Sequence, residues 1–328
     1  MKKRQILILS GLIVCGIISG QHLIRVNNNP GAGADYATLQ EANDNASDGD
    51  TIYMEGSVTS YEGADISRRL TIIGPGYFLS ENDSTQANKM EANVGNVFFN
   101  SGSAGSIITG VHVSAIYIRA DDISVTRCNI SQVYIDGEVD QILIVQNYLY
   151  QLYEGWNSKI SNGIISSNIV TYAMNLGQSS GPLQITNNVF IYLYANPLSV
   201  YNASIANNII CYPSGGIPVN TGNTITNNIL ASDGTNSGGN QYNVAMANVF
   251  VDFNGDKGFS TDGRWQLRTG SPATGAGVSG VDCGVFGGVT PYVLSGVPAL
   301  PHIYEAEIPG TAYSGEGLNC SIKIKSGK

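Results

Sequence analysis

A band of charged side chains that could carry acid–base or metal chemistry occupies residues 119–159. Nine such residues occur in this charged band: Arg119, Asp121, Asp122, Arg127, Asp136, Glu138, Asp140, Glu154 and Lys159. Asp136 and Glu138 alternate, so both side chains would point the same way from a strand. Asp122 and Asp140 lie about one repeat apart. We expect their carboxylates to approach each other, and such a pair can share a proton or a Ca²⁺.

The stretch that follows the charged band is free of titratable acids and bases. Between Ile160 and Ser232 the sequence contains no Asp, Glu, Lys, Arg or His. Acid–base catalysis with ordinary side chains is excluded there, because proton transfer needs a titratable group at the reacting atoms. An enzyme built on this chain would therefore work from the charged band. Its candidate catalytic residues are Asp122, Arg127, Asp136, Glu138, Asp140 and Lys159.

A second candidate site for a metal follows at Asp252, Asn254 and Asp256, whose spacing is similar to that of a calcium loop. Two features argue against calcium there. Lys257 stands where such a loop has Gly, and Gly263 stands where it has the bidentate Glu. The sequence thus predicts a chain without a cofactor, with a polar loop at this place and Ca²⁺ as the alternative.

Tyrosines recur at a fixed interval in the uncharged stretch. Tyr172, Tyr192 and Tyr212 are evenly spaced, and Tyr153 and Tyr194 add further aromatic surface at a position two residues along the repeat. We expect the three regularly spaced rings to stack on one another. Two interpretations remain open: the row shields a strand edge, or it forms a platform for sugar rings. The direction in which the rings point decides between them.

Most of the candidate side chains lie in a sequence repeat with a period of about 20 residues. A fixed period of this length predicts a solenoid with one coil per repeat. One Asn marks the repeat and recurs at nearly constant intervals, at Asn147, Asn168, Asn188, Asn208, Asn228 and Asn248. An aliphatic residue precedes five of the six by three positions, at Ile144, Ile165, Ile185, Ile205 and Ile225. The repeat therefore has a polar and an apolar position that each recur once per coil.

The repeated Asn has a structural explanation. An Asn tolerates the left-handed backbone of a sharp corner, and identical side chains one layer apart can hydrogen-bond in a ladder. Cys128 takes the place of the Asn in the preceding copy. Among the other cysteines, Cys283 and Cys320 either form a disulfide or remain free thiols.

Both ends of the repeat look capped. Asp35 begins a short helix with Tyr36, Leu39 and Ala42 on one face, which would cover the first coil. The sequence predicts a β-helix with end caps over residues 21–290. Residues 291–328 are predicted to form a linker followed by a strand pair.

The charge of the chain indicates which partners it can bind, and its N-terminus indicates its compartment. The formal charge is -9, so nucleic acid and anionic membranes, which are bound through Lys and Arg, are not expected as partners. Residues 1–20 combine three basic residues with an apolar run and read as a secretory signal. We expect a secreted or cell-surface protein, with no membrane insertion after signal cleavage.

The chain resembles right-handed parallel β-helix proteins of the pectin-lyase-like superfamily, and most closely the secreted ones of Bacteroidetes-type bacteria. The resemblance rests on Asp35–Ala42, on Gly49–Tyr53, on the Asn repeats and on Ser271–Gly277. It implies an all-β fold, a right-handed parallel β-helix with a short N-terminal capping helix. The superfamily contains polysaccharide lyases, glycoside hydrolases and adhesins, so the resemblance does not fix the chemistry.

Two functions therefore remain open. The first is a non-catalytic surface or matrix protein, or adhesin, that contacts a polysaccharide or a surface protein through the Tyr- and Asn-rich flank. The alternative is a polysaccharide lyase or glycoside hydrolase that works from the charged band at residues 119–159.

Overall fold

The structure, a computed structural model, describes residues 21–178, 180–193, 195–214, 217, 222–311, 315 and 317–326. The predicted signal, residues 1–20, lies outside them. The chain winds into a parallel β-solenoid in which successive coils contribute strands to two long sheets. The predicted all-β solenoid with one coil per repeat is thereby confirmed. Its right-handed sense stays a prediction.

Sheet A is parallel throughout. Within the described residues its strands are Leu23–Val26, Thr51–Met54, Thr71–Ile73, Ile107–Thr109, Ser124–Thr126, Leu143–Val145, Gly163–Ser166, Leu183–Thr186, Ala203–Ala206 and Thr224–Thr226.

Sheet B is also parallel and forms a second side of each coil. Its strands are Ala64–Ile66, Asn93–Phe99, His112–Ile118, Asn129–Ile135, Tyr148–Glu154, Ile169–Asn175, Val189–Phe190, Ile209–Ile210 and Ile229–Leu230, with Leu198–Ser199 paired to Ile169–Asn175. A short sheet C pairs Glu138–Asp140 with Lys159–Ser161.

Stacked aliphatic side chains fill the inside of the solenoid. Ile144, Ile165, Ile185 and Ile205 pair in register from coil to coil of sheet A, and each is at most 1% exposed. Burial of each such side chain stabilises the folded state by about 2 kcal/mol. This column is the aliphatic position that precedes the repeated Asn by three residues.

At the corner between sheets A and B, the left-handed backbone and the hydrogen-bonding amide belong to two neighbouring residues, whereas the sequence analysis assigns both to the repeated Asn. The left-handed backbone belongs to the residue before the repeated Asn, with φ of 63° at Gln146, 56° at Asn187 and 59° at Asn207. The expectation that the repeated Asn itself adopts the left-handed corner is therefore wrong. The corner residue makes the bend, which leaves the next residue free to point its amide into the solenoid.

The repeated Asn residues form a buried ladder. Nδ2 of Asn147 donates to Oδ1 of Asn168 at 2.9 Å, and Nδ2 of Asn188 donates to Oδ1 of Asn208 at 3.0 Å. Each Oδ1 also accepts the backbone N–H of the preceding rung, as in Asn168 N–H to Asn188 at 2.9 Å. The side chains are fully buried, so these bonds satisfy groups that have no access to water.

The ladder differs from the sequence prediction at its last rung. Asn228 is followed by Asn240, which accepts its Nδ2–H at 2.9 Å. Asn248, the predicted sixth rung, is exposed and lies in the 3₁₀ helix Met246–Asn248. At the other end, Cys128 replaces the Asn, and its backbone N–H donates to Oδ1 of Asn147 at 2.9 Å.

One α-helix, Leu39–Asn45, precedes the second strand of the chain in the described residues. Its N-cap is Thr38, in a capping box with Glu41, so the expected cap at Asp35 is wrong. Asp35 instead accepts the backbone N–H of Arg25 at 2.7 Å. No helix in the part of the chain that the structure describes has the length and apolarity to cross a bilayer.

Residues 276–298, which we call the strap, run back along the solenoid against the direction of the coils. Corner side chains hold the strap: Asn227 donates to the carbonyl of Ala276 at 2.9 Å, and Arg127 donates to that of Val297 at 3.0 Å. At the corner residue Gly110 (φ 69°), an added Cβ would lie 2.5 Å from Cγ of Pro298. Glycine is therefore required where the strap packs on this corner.

Between these ends, the strap follows the same row of corners. Oδ1 of Asn207 accepts the backbone N–H of Val278 at 2.8 Å, and Nδ2 of Asn187 donates to the carbonyl of Asp282 at 3.0 Å. The strap carries the 3₁₀ turns Val278–Gly280 and Leu294–Gly296, and Gly263–Trp265 forms another one before it.

A second hydrophobic core lies outside the solenoid, between the last coils and the segment that returns along them. Outward-facing Ile169, Val189 and Ile209 of sheet B pack in this cluster together with Trp265 and Val285. Tyr292 is buried there too, so the expected linker beginning at residue 291 starts within a packed segment.

The chain ends in an antiparallel hairpin of His302–Glu307 and Ser321–Lys325. Cys320 beside it is exposed and free, whereas Cys283 is buried and free. The structure thus has free thiols at both positions, and the alternative of a disulfide between them is wrong.

Candidate functional site

The outer face of sheet B carries a column of aromatic rings. Phe98, Tyr117, Tyr134 and Tyr153 occupy paired positions on four successive strands. Their ring centroids are separated by 4.5, 5.4 and 4.7 Å along the column. The rings face outward because their strand neighbours, such as Ile116 and Ile118 beside Tyr117, point into the core.

A second column begins where the first ends. Tyr150 and Tyr172 stack with centroids 4.9 Å apart and ring planes 7° apart, and Tyr172 contacts Tyr192 at 4.7 Å. The strand Tyr148–Glu154 carries a ring of each column, Tyr150 and Tyr153, so the two columns join on one strand. We call the two columns together the aromatic face.

The Tyr row points outward from the solenoid. Sheet B is paired on both sides at these coils, so the rings cover the face of a sheet and do not shield a strand edge. Of the other predicted rings, Tyr212 is partly buried and packs against the main core. Tyr194 lies outside the described residues.

Trp156 stands beside the first column and is 92% exposed. It belongs to a tight turn closed by the bond from Ser158 N–H to the carbonyl of Gly155 at 3.2 Å. The turn is fixed to the previous coil, because Ser158 Oγ accepts the backbone N–H of Gly137 at 2.9 Å. An added Cβ at Gly155 would lie 2.4 Å from the Tyr134 hydroxyl, so the turn lies directly against the column.

Residues of the charged band are spread around the coil and satisfy one another locally. Arg119 pairs with Asp136 at 2.6 Å, and its guanidinium lies 5.1 Å from the centroid of the Phe98 ring. Lys159 pairs with Glu138 at 2.8 Å between the two strands of sheet C. Such exposed ion pairs contribute about 0–1 kcal/mol and leave each charge neutralised.

Asp122 and Asp140 are neighbours on adjacent coils, where the backbone N–H of Asp122 donates to the carbonyl of Asp140 at 3.0 Å. The residue level with Asp140 on the preceding coil is Asp121, whose Oδ1 accepts the backbone N–H of Asp140 at 2.8 Å. Oδ1 of Asp140 in turn accepts Nδ2–H of Asn162 at 2.7 Å. Asp122 adopts a left-handed corner with φ of 57°. The register is therefore shifted by one residue from the predicted one, and a pairing of the Asp122 and Asp140 carboxylates stays a prediction.

The remaining members of the band hold structural elements. Arg127 lies at the strap corner, where Nε donates to Oε1 of Gln146 at 2.9 Å, and burial lowers its pKa. Glu154 accepts the N–H of Gly177 at 2.6 Å and the hydroxyl of Ser180. The charged band therefore contributes to three different parts of the coil surface.

The calcium-like loop is organised around one carboxylate. Desolvation acts to raise the pKa of Asp252, but three backbone amides, those of Gly255, Asp256 and Lys257, bind its oxygens at 2.8–3.1 Å and lower it. Asn254 and Asp256 are exposed. No group of three or more His, Cys, Asp or Glu suited to a metal occurs within the described ranges.

Phe98, Tyr117 and Tyr134 of the first column, together with Trp156, are functional candidates that the sequence reasoning missed, whereas it included Tyr153. The rings of Phe98, Tyr117, Tyr134 and Tyr153 recur at uneven intervals, each shorter than the period of the Asn repeat. A search for aromatic residues that recur about once per coil, made without aligning them to the repeated Asn, would have found them. The exposure of Trp156 has no signal in the sequence.

Comparison of the chain with protein-family models, with curated proteins and with solved structures finds no match.

Proposed function

We propose that this chain is a secreted or cell-surface β-helix protein of the pectin-lyase-like type that binds polysaccharide on the aromatic face without cleaving it. The observation that carries the proposal is the two columns of contacting aromatic rings on the outer face of sheet B, which share the strand Tyr148–Glu154, with the almost fully exposed Trp156 beside the first column. Large exposed apolar patches mark interaction sites, since burial of such rings against a partner is favourable.

Sugar is the partner that this chemistry fits best. Each pyranose presents an apolar face of C–H groups to an aromatic ring and hydroxyls to polar neighbours. On the aromatic face, Tyr150 is 45% exposed, and Gln132 and Gln151 lie between the columns on the same strands. Successive rings stand about 5 Å apart, which is the spacing of strands in a sheet, so an extended chain meets one ring per coil.

The proposal assigns no catalytic role to the charged band. Most of its cations and carboxylates are engaged in separate ion pairs, hydrogen bonds and the strap, as Arg119–Asp136 and Lys159–Glu138 illustrate. Binding through rings and amides needs no cofactor. Export would place the aromatic face where extracellular polysaccharide is met.

Binding to a panel of neutral and uronate-containing polysaccharides, with and without Ca²⁺, tests the proposal. We expect at least one polysaccharide to bind without release of new reducing or unsaturated ends. The double variant Trp156→Ala, Tyr172→Ala should weaken that binding about 100-fold, since each lost ring contact contributes roughly 1–2 kcal/mol.

Tyr304→Ala is the matched control, because Tyr304 lies in the C-terminal hairpin and away from sheet B. It should leave binding unchanged. Absence of binding across the panel at high protein concentration would reject the proposal. Cleavage of a bound polysaccharide would instead support the lyase or hydrolase alternative.

A further inference from the structure

A cavity of about 770 Å³ lies at the junction of four segments that are far apart in sequence. Its walls are loop 81–85, residues 258–266, the strap at residues 291–297 and the end of the hairpin at Lys325. It shares no lining residue with the aromatic face. Its volume falls within the range of about 300–1,000 Å³ that is typical of small-molecule sites.

Buried hydrogen bonds fix the walls of this cavity relative to one another. Nδ2 of Asn82 donates to Oδ1 of Asp262 and to Oγ of Ser295, both at 2.9 Å, and its Oδ1 accepts from Ser260 Oγ at 2.7 Å. Asp262 is fully buried and also accepts the N–H of Ser295 at 2.7 Å. A buried carboxylate is tolerated only with such partners, so the three segments are held as one rigid wall.

The lining combines aromatic rings, those of Phe259, Tyr292 and His302, with several other polar side chains. Phe259 is 47% exposed and presents its ring at the cavity. The polar groups beside it are the carboxylates of Glu81 and Asp83, the amide of Gln266 and the ammonium of Lys325. Oε2 of Glu81 accepts the N–H of Thr261 at 2.7 Å, which orients its carboxylate.

We propose that this cavity binds a single pyranose unit, with the C–H face of the sugar on Phe259 and its hydroxyls on Glu81, Asp83 and Gln266. The site is distinct from the aromatic face and does not depend on it. Two carboxylates against one ammonium favour a neutral or amine-bearing sugar over a uronate, because like charges in a cavity repel.

Saturation-transfer NMR on the full chain tests this site with methyl β-glucoside, glucosamine and glucuronate as separate probes. We expect the first two to bind and glucuronate to bind more weakly. Phe259→Ala should weaken glucoside binding by roughly tenfold or more, because the apolar face of the sugar loses its stacking partner. Phe259→Trp, which keeps a ring, should retain binding.

Phe259 is half exposed, so its replacement should leave thermal unfolding unchanged, and this is measured in parallel. The proposal is overturned if no probe binds the wild type, if Phe259→Ala binds as the wild type does, or if glucuronate binds as well as the glucoside. Trp156→Ala should leave binding of these monosaccharides intact. If it abolishes their binding while Phe259→Ala does not, the sugar occupies the aromatic face and the cavity is not the site.

Discussion

Nδ2 of Asn228 donates to Oδ1 of Asn240 at 2.9 Å, although the two residues are only 12 apart in sequence. The other rungs of the ladder are 20 or 21 residues apart. Asn240 directs its own Nδ2 to the carbonyls of Ile225 and Ser237 and so terminates the ladder. A shortened coil thus supplies the last acceptor of the buried row.

Removal of one rung should destabilise the protein strongly. Asn208→Ala leaves the N–H and Nδ2–H of Asn188 without their shared acceptor. Unsatisfied buried donors cost roughly 1–3 kcal/mol each, so we expect a loss of about 4 kcal/mol in the free energy of unfolding, measured with urea. Asn248→Ala, at an exposed position outside the ladder, should change it by less than about 0.5 kcal/mol. Equal effects of the two variants would contradict the ladder.

The strap should loosen when one of its corner anchors is removed. Asn187→Gly keeps the left-handed backbone but removes the bonds to the carbonyls of Asp282 and Gly284. We expect a loss of about 1–2 kcal/mol and faster proteolysis within residues 276–298, located by mass spectrometry. Ser167→Gly is the matched control, since Ser167 has the same left-handed backbone but its hydroxyl contacts Ser166. If both variants resist the protease equally, Asn187 does not hold the strap.

Thiol labelling should distinguish one cysteine from the other three of residues 21–328. Burial raises the pKa of Cys128 and Cys283 to about 12 and that of Cys211 further still. At pH 8 these thiols stay protonated and inaccessible, so a thiol reagent should react with Cys320 alone, and with all four in denaturant. Two reactive thiols in denaturant without reductant would instead indicate a disulfide.

The loop around Asp252 should contribute stability that depends on pH. Backbone amides hold the pKa of this carboxyl below its ordinary value of 3.8 despite desolvation. A group with a lowered pKa stabilises the folded state above its unfolded pKa and loses that effect as the pH falls through the folded pKa. Wild type should exceed Asp252→Asn in urea midpoint at pH 6, and the difference should shrink towards pH 2. A constant difference would show that the charge is irrelevant.

Tryptophan fluorescence should report on the aromatic face. The chain has two tryptophans, and Trp265 is only 6% exposed and packs against Phe250 at 5.2 Å. Acrylamide should therefore quench Trp156 strongly and Trp265 weakly. Trp156→Phe should remove the quenchable emission, and a bound polysaccharide should protect it in the wild type. Equal quenching of the variant and the wild type would contradict the exposed turn.

The ladder and the coil period were predictable because they depend on contacts between adjacent repeats. In the regular coils, a residue 20 positions further along the chain lies directly above on the next coil. The spacing alone therefore identifies the rungs of the ladder up to Asn228. Asn248 was misplaced because the last coil is shorter, and the spacing there no longer measures height along the stack.

The strap and the cavity were not predictable by the same means. Arg127 and Val297 are 170 residues apart, and Asn82 and Asp262 are 180 apart. No period connects such pairs, and the anchors of the strap bind its backbone carbonyls, which leave no trace in residue type. The joining of the two aromatic columns at Tyr150 and Tyr153 depends likewise on the fold.

The strap also affects the order in which the parts of the molecule fold. A solenoid can form coil by coil from its N-terminus, since each coil contacts only its neighbours. The strap is synthesised after all the coils, yet Pro298 packs at Gly110 and the carbonyl of Val297 binds Arg127. The early coils therefore emerge with an uncovered flank, and that flank is covered only after the strap has been synthesised. Once in place, the strap links distant repeats, so we expect the stack to unfold as one cooperative unit.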